Sequence, residues 1–150
     1  YERCLNKHLN ISGLATPITA LPAIRWNGEP MKEPINLLSK FDLFSEHWSP
    51  KVVAEMNDYQ FKLVKLKGSF IRHDHKDTDE VFIVIEGSMS IELSDTTVNL
   101  NQGEMLVVPR GELHRPFAAE ECKVLLVEPR GVVNTGDVDS KQTAVNDVWI

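Results

Sequence analysis

The sequence predicts an all-β barrel or sandwich, and two observations support that class. First, short candidate strands follow one another from residue 52 to residue 128, separated by turns that contain Gly, Pro, Asn or Asp. Second, three of these strands are apolar on both faces, as expected of strands whose outer side is also covered. The predicted strands are 52–56, 59–66, 70–75, 80–85, 89–93, 97–100, 105–108, 114–117 and 123–128.

Residues 1–30 differ from the rest of the chain, because prolines and glycines interrupt a weakly patterned sequence there. We expect them to form a leader or an N-terminal extension that need not be part of the core fold. A secretory signal is the alternative, but its apolar stretch would be broken by Pro17 and Pro22.

An arm with at most one short helix is predicted to precede the barrel. Between Ile35 and Phe44, apolar side chains recur at helical spacing, so that one face can pack against a sheet. We therefore assign residues 31–50 to this arm, residues 51–130 to the barrel and residues 131–150 to a C-terminal tail.

Three histidines and one glutamate are spaced as a metal site requires. Side chains two residues apart in a strand point to the same face, so His73 and His75 can project toward one interior point. A polar interval of four residues leads from His75 to Glu80, and a hairpin there would return the carboxylate to the imidazoles. His114 begins a strand after the turn at 109–111. The four side chains are therefore predicted to form one metal site.

Each of these features is also common outside metal sites. A His-x-His pair is often exposed, a glutamate at a strand start is often solvated, and Pro-x-Gly often marks only a turn. Together they favour a metal, because a core that needed only packing would not bury three imidazoles and a carboxylate on converging strands. A barrel that keeps the ligands without doing chemistry is the alternative.

The same residues resemble the two sequence motifs of the cupin superfamily. The first motif contains a glycine, a His-x-His pair, a glutamate and a second glycine; the second contains a glycine, Pro-x-Gly and a histidine. The interval after the first glycine is one residue short here, and Ala118 stands where the second motif has an asparagine that is not a ligand. The resemblance covers roughly residues 50–130. The matching positions are Gly68, His73, His75, Glu80, Gly87, Gly103, Pro109, Gly111 and His114.

The resemblance implies a double-stranded β-helix, or jelly-roll barrel, and a metal-dependent enzyme. Three neutral imidazoles and one carboxylate fill four positions of an octahedron and leave two for water, dioxygen or a bidentate substrate. This ligand set suits one divalent first-row transition metal, and Fe, Mn, Ni, Co, Cu and Zn all remain open. Similar cupins include dioxygenases, oxalate-degrading enzymes and lyases of small carboxylates. A dioxygenase-like enzyme with a small organic substrate is the leading expectation.

Strand parity predicts which other side chains line the cavity. If the four ligands face inward, residues an even number of positions away on the same strands also face inward. The metal would then lie in an apolar wall. The predicted lining residues are Ile71, Phe82, Val84 and Pro116.

Two alternatives to a dioxygenase-like enzyme stay open. One is a non-catalytic barrel that binds a metal or a small ligand. The other is a metal-dependent isomerase or lyase, which would need a protein acid or base near the metal. The candidates for that role are Tyr59, Lys62 and Glu112.

Composition and pattern restrict the partners. A net charge of -6 without a basic stripe argues against nucleic acid, and the absence of a long apolar run argues against a membrane span. Cys4 and Cys122 are too few for a disulfide framework, which favours the cytoplasm. Val81, Ile83 and Ile85 form an apolar outer face, which predicts cover by the arm or, more economically, by a second subunit in a homodimer.

Overall fold

The computed structural model describes residues 33–150. The expectations for residues 1–30, including Cys4, lie outside the described residues. Between residues 33 and 150, no helix is long and apolar enough to cross a membrane. The elements are α1 (Leu37–Phe41), β1 (Lys51–Met56), β2 (Tyr59–Ser69), β3 (Glu80–Glu86), β4 (Ser88–Glu92), β5 (Thr97–Asn101), β6 (Met105–Val108) and β7 (Arg115–Pro129).

The N-terminal arm carries the short helix that the sequence predicts. The Asn36 side chain accepts a hydrogen bond from the Ser39 backbone N–H at 3.1 Å, which caps the first turn of α1. Phe41 is fully buried in one cluster with Leu63 and Leu125, on the outer face of the main sheet. The helical spacing therefore identifies a side of the arm that packs on the barrel.

Strand β7 joins the two sheets of a jelly-roll barrel. The main sheet has the strand order β1-β2-β7-β3-β6, while β5 pairs with β4 and β4 pairs with the first part of β7. Every pair is antiparallel. The predicted fold class is confirmed.

Two predicted strands are parts of one longer strand. The segments 114–117 and 123–128 were predicted as separate elements, but β7 runs through both. Between them the ladder to β2 shifts register, so that Cys122 and Ala118, four residues apart, pair with residues only two apart on β2. The predicted break is therefore a bulge, which bends β7 without ending it.

The predicted strand at 70–75 is wrong as a continuous element. Strand β2 ends at Ser69, and beyond it the chain keeps backbone hydrogen bonds from Phe70 to Pro116 and an isolated bridge between His73 and His114. Between Ser69 and Glu80 the chain forms a loop that touches the sheet only at these points. Alternation breaks here as well, since Phe70 and His73 are both buried although they are three residues apart, and it resumes only from His73 to His75.

Apolar side chains pack on both faces of the main sheet. Val64 and Phe82 belong to the cluster inside the barrel. Ile83 and Ile85 pack instead against the outer cluster that contains Phe41 of the arm. The arm therefore covers part of the outer face of β3, which explains why this strand is apolar on both sides.

Residues 131–150, predicted as a tail, lie against the barrel. The Val52 N–H donates a hydrogen bond to the Val148 carbonyl at 2.7 Å, and the Ile150 N–H donates to the Val52 carbonyl at 3.1 Å. The side chain of Asn134 donates to the Trp48 carbonyl at 3.1 Å. This segment adds a wall next to β1.

Candidate metal centre

The four predicted ligand residues meet at one point inside the barrel. One ring nitrogen of each of His73, His75 and His114 and one carboxylate oxygen of Glu80 all lie within 4.8 Å of one another. The four residues are between 1% and 7% exposed. The structure thus brings together the side chains that the spacing places in one site.

Backbone hydrogen bonds place the histidines. His73 and His114 exchange two such bonds, of 3.0 and 2.9 Å. The His75 carbonyl accepts a bond of 2.8 Å from the Gly111 N–H, which ties it to the turn before His114. Gly111 has a φ of +75°, a left-handed conformation that glycine adopts without strain. The glycine of Pro-x-Gly therefore serves the turn that positions two ligands.

Two imidazoles are oriented through their Nδ1 atoms. His73 Nδ1 lies 3.2 Å from the Ile71 carbonyl oxygen, and His114 Nδ1 lies 2.9 Å from the Glu112 carbonyl oxygen. A carbonyl only accepts, so these Nδ1 atoms carry the proton and the Nε2 lone pairs face the centre. A backbone carbonyl on the far nitrogen is the usual support of a metal-binding histidine.

The site holds one negative charge among its imidazoles. Burial alone raises the pKa of Glu80, but contacts from His114 and His75 outweigh it and bring that pKa to about 2. Burial, followed by repulsion from His114, lowers the pKa of His73 to about 4. Burial also acts to lower the pKa of His75, but the neighbouring Glu80 carboxylate outweighs it, and that pKa is raised. Glu80 is therefore ionised and His73 neutral at neutral pH.

The donor atoms fit a metal ion. Nε2 of all three histidines and Oε2 of Glu80 are buried and lack a hydrogen-bond partner. The contacts from Glu80 Oε2 to the Nε2 atoms of His75 and His114, at 3.4 and 3.3 Å, are longer than a well-formed hydrogen bond. Unpartnered buried polar atoms are costly, and one divalent cation would satisfy all four.

The comparisons with known proteins agree with this fold. The sequence matches the cupin domain family over residues 62–128. A solved structure, a cupin-2 domain containing protein from Shewanella frigidimarina, is 58% identical and covers 64% of this chain and 94% of its own, with a TM-score of 0.63. The chain belongs to the cupin superfamily.

Two further relatives of this cupin match over most of their length. A solved structure of a Neisseria meningitidis protein is 35% identical and covers 65% of this chain and 99% of its own, with a TM-score of 0.60. The Bacillus subtilis protein YdbB, described as uncharacterized, is 34% identical over 94 residues, which are 62% of this chain and 83% of YdbB. The resemblance found in the two motifs is confirmed.

A narrow cavity of the cupin lies beside the ligands. Among the described residues that line it, only His73 and Glu80 have ionisable side chains. The Trp48 ring stacks on Phe70 with centroids 4.8 Å apart, and Phe70 meets His73 edge-on at 5.3 Å. The other walls are largely apolar and include Val64, Leu66, Phe82, Pro116 and Leu126.

Trp48 is held in an unusual backbone conformation at this cavity. Its φ is +59°, a value that non-glycine residues rarely adopt. Its backbone N–H donates to the Lys65 carbonyl and its indole N–H donates to the Lys67 carbonyl, both at 2.9 Å. These bonds and the contact from Asn134 fix the ring against Phe70. Such strained residues cluster at functional sites.

The four predicted lining residues divide into two groups. Phe82 and Pro116 line the cavity. Val84 points inward as well, but it belongs to the core deeper in the barrel. Ile71 is half-buried and is not among the lining residues; its backbone carbonyl instead orients His73. Parity fails at Ile71, where the chain has left the ladder and Phe70 lines the cavity instead, and at Val84 it gives the inward face without showing where the cavity ends.

The three acid–base candidates lie outside the lining of this cavity. Tyr59 begins β2 and is 47% exposed. The Glu112 carboxylate accepts a hydrogen bond of 2.8 Å from the Ser94 N–H. Lys62 is buried, and its ammonium group pairs with Glu128 at 2.9 Å.

A buried polar row lies next to the metal centre. Gln60, Lys62 and Glu128 are 1% to 2% exposed on the inner face of β2 and β7. Lys62 was a candidate from the sequence, whereas Glu128 was not. Glu128 has the same strand parity as the inward Leu126, so alternation along β7 could have revealed it. Burial, followed by repulsion from Glu80, raises the pKa of Glu128 to about 7.

Proposed function

We propose that this cupin is a metal-dependent enzyme of the dioxygenase type that acts on a small organic substrate. One observation carries the proposal: four buried ligand atoms without hydrogen-bond partners lie beside an apolar cavity. Four protein ligands leave further positions open on a six-coordinate metal ion. An open position at a cavity is typical of catalytic metal sites, whereas structural sites are closed.

Each ligand residue has a defined part in this proposal. His73 and His114 would hold the ion through Nε2 atoms whose direction is fixed by the Nδ1 bonds. His75 and Glu80 complete the set, and Glu80 supplies the one negative charge. When bound, a divalent Fe, Mn, Ni, Co, Cu or Zn ion supplies Lewis-acid chemistry, and the redox-active members also supply electron transfer.

The cavity would select its substrate by shape and polarity. Phe70, Phe82 and Leu126 keep water away from the ligands, and the amide of Asn134 at the edge is engaged in hydrogen bonds to the protein. No lysine or arginine is among the described residues that line the cavity, so no cationic side chain is available there to bind a phosphate group. These walls favour a small uncharged substrate.

An isomerase or lyase is less well supported by the same geometry. That chemistry needs a protein acid or base beside the substrate. Tyr59, Lys62 and Glu112 do not line the cavity, whereas a dioxygenase draws its chemistry from the metal. A non-catalytic cupin would share the ligands and differ only in lacking turnover.

Two further parts of the proposal concern assembly and location. The outer face of the sheet keeps exposed apolar side chains at Met105 and Val107, which supports a homodimer formed through this face. The low cysteine content supports a cytoplasmic location.

Metal analysis followed by oxygen uptake tests the proposed activity. The protein is purified without added metal, analysed for transition metals, and then assayed with enediols, catechols and thiols. We expect oxygen uptake by the metal-loaded wild type and none by Glu80→Gln, which keeps the shape of the side chain but removes its charge. Substrate binding without oxygen uptake or other turnover would favour the non-catalytic cupin, and turnover without oxygen would favour the isomerase or lyase.

A further inference from the structure

Residues 132–138, here called the C-terminal strap, lie against the loop that carries His73 and His75. The Gly136 backbone lies so close to Asp74 that a β-carbon on Gly136 would be 2.1 Å from the Asp74 carbonyl oxygen. The same β-carbon would be 3.8 Å from His75 Nδ1. The strap therefore touches the segment between two ligands of the proposed metal site.

The strap is anchored just before this contact, at Asn134 and Thr135. Asn134 donates hydrogen bonds to the Trp48 and Gln142 carbonyls and accepts one from the Ala144 N–H, all between 3.0 and 3.1 Å. The hydroxyl of the fully buried Thr135 lies 2.9 Å from that of Thr143. These bonds hold the strap independently of the ligand loop.

An ion pair follows the close contact. Lys76, next to His75, pairs with Asp137, next to Gly136, at 2.6 Å. Both side chains are exposed, so the ion pair adds little to the stability of the fold. It does place Asp137 of the strap opposite Lys76 of the ligand loop. Strap and ligand loop thus run side by side for at least three residues.

His75 differs from the other two histidines in its support. Backbone carbonyls orient the Nδ1 atoms of His73 and His114, but the structure shows no such bond for His75 Nδ1. A β-carbon placed on Gly136 would lie 3.8 Å from that nitrogen, so the strap passes close to this side of the His75 ring. The strap can therefore restrain the ring from the side that has no hydrogen bond.

We propose that the C-terminal strap is a positioning element of the metal centre, and that Gly136 sets the orientation of His75 through its close approach to the Asp74 backbone. The inference rests on the proposed metal site and adds to it a segment outside the family match, which ends at residue 128. A side chain at 136 would displace the Asp74 carbonyl and, with it, the adjoining His75. Metal affinity should therefore depend on a residue that is not a ligand.

Gly136→Ala and Gly131→Ala form a matched pair for the test. Both glycines have left-handed backbone, with φ of +56° and +82°, so both substitutions introduce the same kind of strain. Only Gly136 has atoms near its new β-carbon, since nothing lies within 4 Å at Gly131. Co(II) is titrated into wild type and both variants while its visible absorption spectrum is recorded.

We expect Gly136→Ala to weaken Co(II) binding by about 10 to 100-fold, the range for residues that support a ligand, and to alter the absorption spectrum. Gly131→Ala should keep the wild-type affinity and spectrum. Equal affinity and identical spectra in the two variants would overturn the role of the strap while leaving the metal site standing. A wild type that binds no Co(II) would contradict the metal site itself.

Hydrogen exchange in the wild type keeps the test decisive if Gly136→Ala does not fold. If the strap favours metal binding by the ligand loop, then Zn(II) binding stabilises the strap by the same coupling free energy. The amides of Gly136 and Val138, bonded to the Val133 and Thr135 carbonyls, should exchange several-fold more slowly with Zn(II). The amide of Glu104, bonded to the Asn101 carbonyl in the turn between β5 and β6, is the control and should not change. Unchanged exchange at Gly136 and Val138 would overturn the proposal.

Discussion

His73 and His114 exchange two backbone hydrogen bonds, of 3.0 and 2.9 Å, at the edge of the barrel. They form an isolated bridge beyond the ends of the ladders, so this pair of ligands is joined by backbone and not only by a metal. The imidazole centroids lie 4.3 Å apart. The site is therefore assembled by folding, and metal binding does not have to order it.

Loss of one ligand should weaken metal binding far more than loss of its neighbour. His114→Ala removes a buried Nε2 donor, and we expect affinity for Co(II) to fall by more than about 100-fold. Arg115→Ala is the control, because Arg115 is exposed and pairs with Glu92 on the outside. Titration of both variants decides the matter, and equal affinities would contradict the assignment of His114 as an inward ligand.

Metal affinity should fall as the pH is lowered. Binding requires unprotonated imidazoles, so a proton on His75 competes with the metal. Burial acts to lower the pKa of His75, but the Glu80 carboxylate outweighs it and raises that pKa, so this competition begins at a higher pH than for an ordinary histidine. His73 adds to it only in stronger acid, since its pKa is about 4. Co(II) titrations between pH 8 and 5 measure the effect, and a constant affinity over that range would be inconsistent with it.

Glu128→Gln should change how stability depends on pH in the metal-free protein. Burial and the Glu80 carboxylate raise the pKa of Glu128 to about 7, whereas in the unfolded chain it titrates near 4.5. Between these values the folded protein retains a proton that the unfolded chain has lost, so this carboxyl makes the folded state less stable as the pH rises.

Glu128→Gln also leaves the buried Lys62 without its carboxylate partner, a cost that is present throughout this pH range. From pH 5 to pH 8 the difference in unfolding free energy should nevertheless shift in favour of the variant. The expected shift is on the order of 2 kcal/mol, from the conversion of a pKa difference into free energy. Urea unfolding of both proteins at the two pH values provides the measurement. A difference between them that does not vary with pH would show that Glu128 is not perturbed by burial.

The proposed dimer face can be tested with an exposed valine. Val81 pairs with Val107 on one side and Val127 on the other, which makes a continuous apolar strip, and Val107 is 46% exposed. Val107→Lys should yield a monomer by light scattering. Val145→Lys, at a residue 78% exposed in the C-terminal segment, should leave the mass unchanged. A monomeric wild type at micromolar concentration would contradict the dimer and show that the arm alone covers the outer face of the sheet.

The fold was predictable because the pattern of the strands is regular and the two motifs are local. Alternation fixes the inward face wherever the chain stays in a ladder, as in β3, whose residues alternate between buried and half-buried up to Ile85. It failed at Ala119 and its neighbours, where a bulge continues β7 although the sequence suggests a break. A bulge depends on the register of the partner strand, which a single strand does not reveal.

The four candidate ligands were also predictable, while their supports were not. A ligand such as His75 has a residue type and a spacing that indicate its role. Gly136 approaches Asp74 of the ligand loop from 62 residues away in sequence, through backbone atoms, and no periodic pattern marks the strap. Glu128 lay within reach of the parity argument, but it required following the inner face of β7 to its end.

Metal content of the protein tests the central claim most directly. Wild type and His114→Ala are purified without added metal, reconstituted with Co(II), and measured by elemental analysis. The account predicts one transition-metal ion per wild-type chain and substantially less in the variant, because the four unpartnered donor atoms form a single site. Wild-type protein that holds no transition metal, both as purified and after reconstitution, would contradict it.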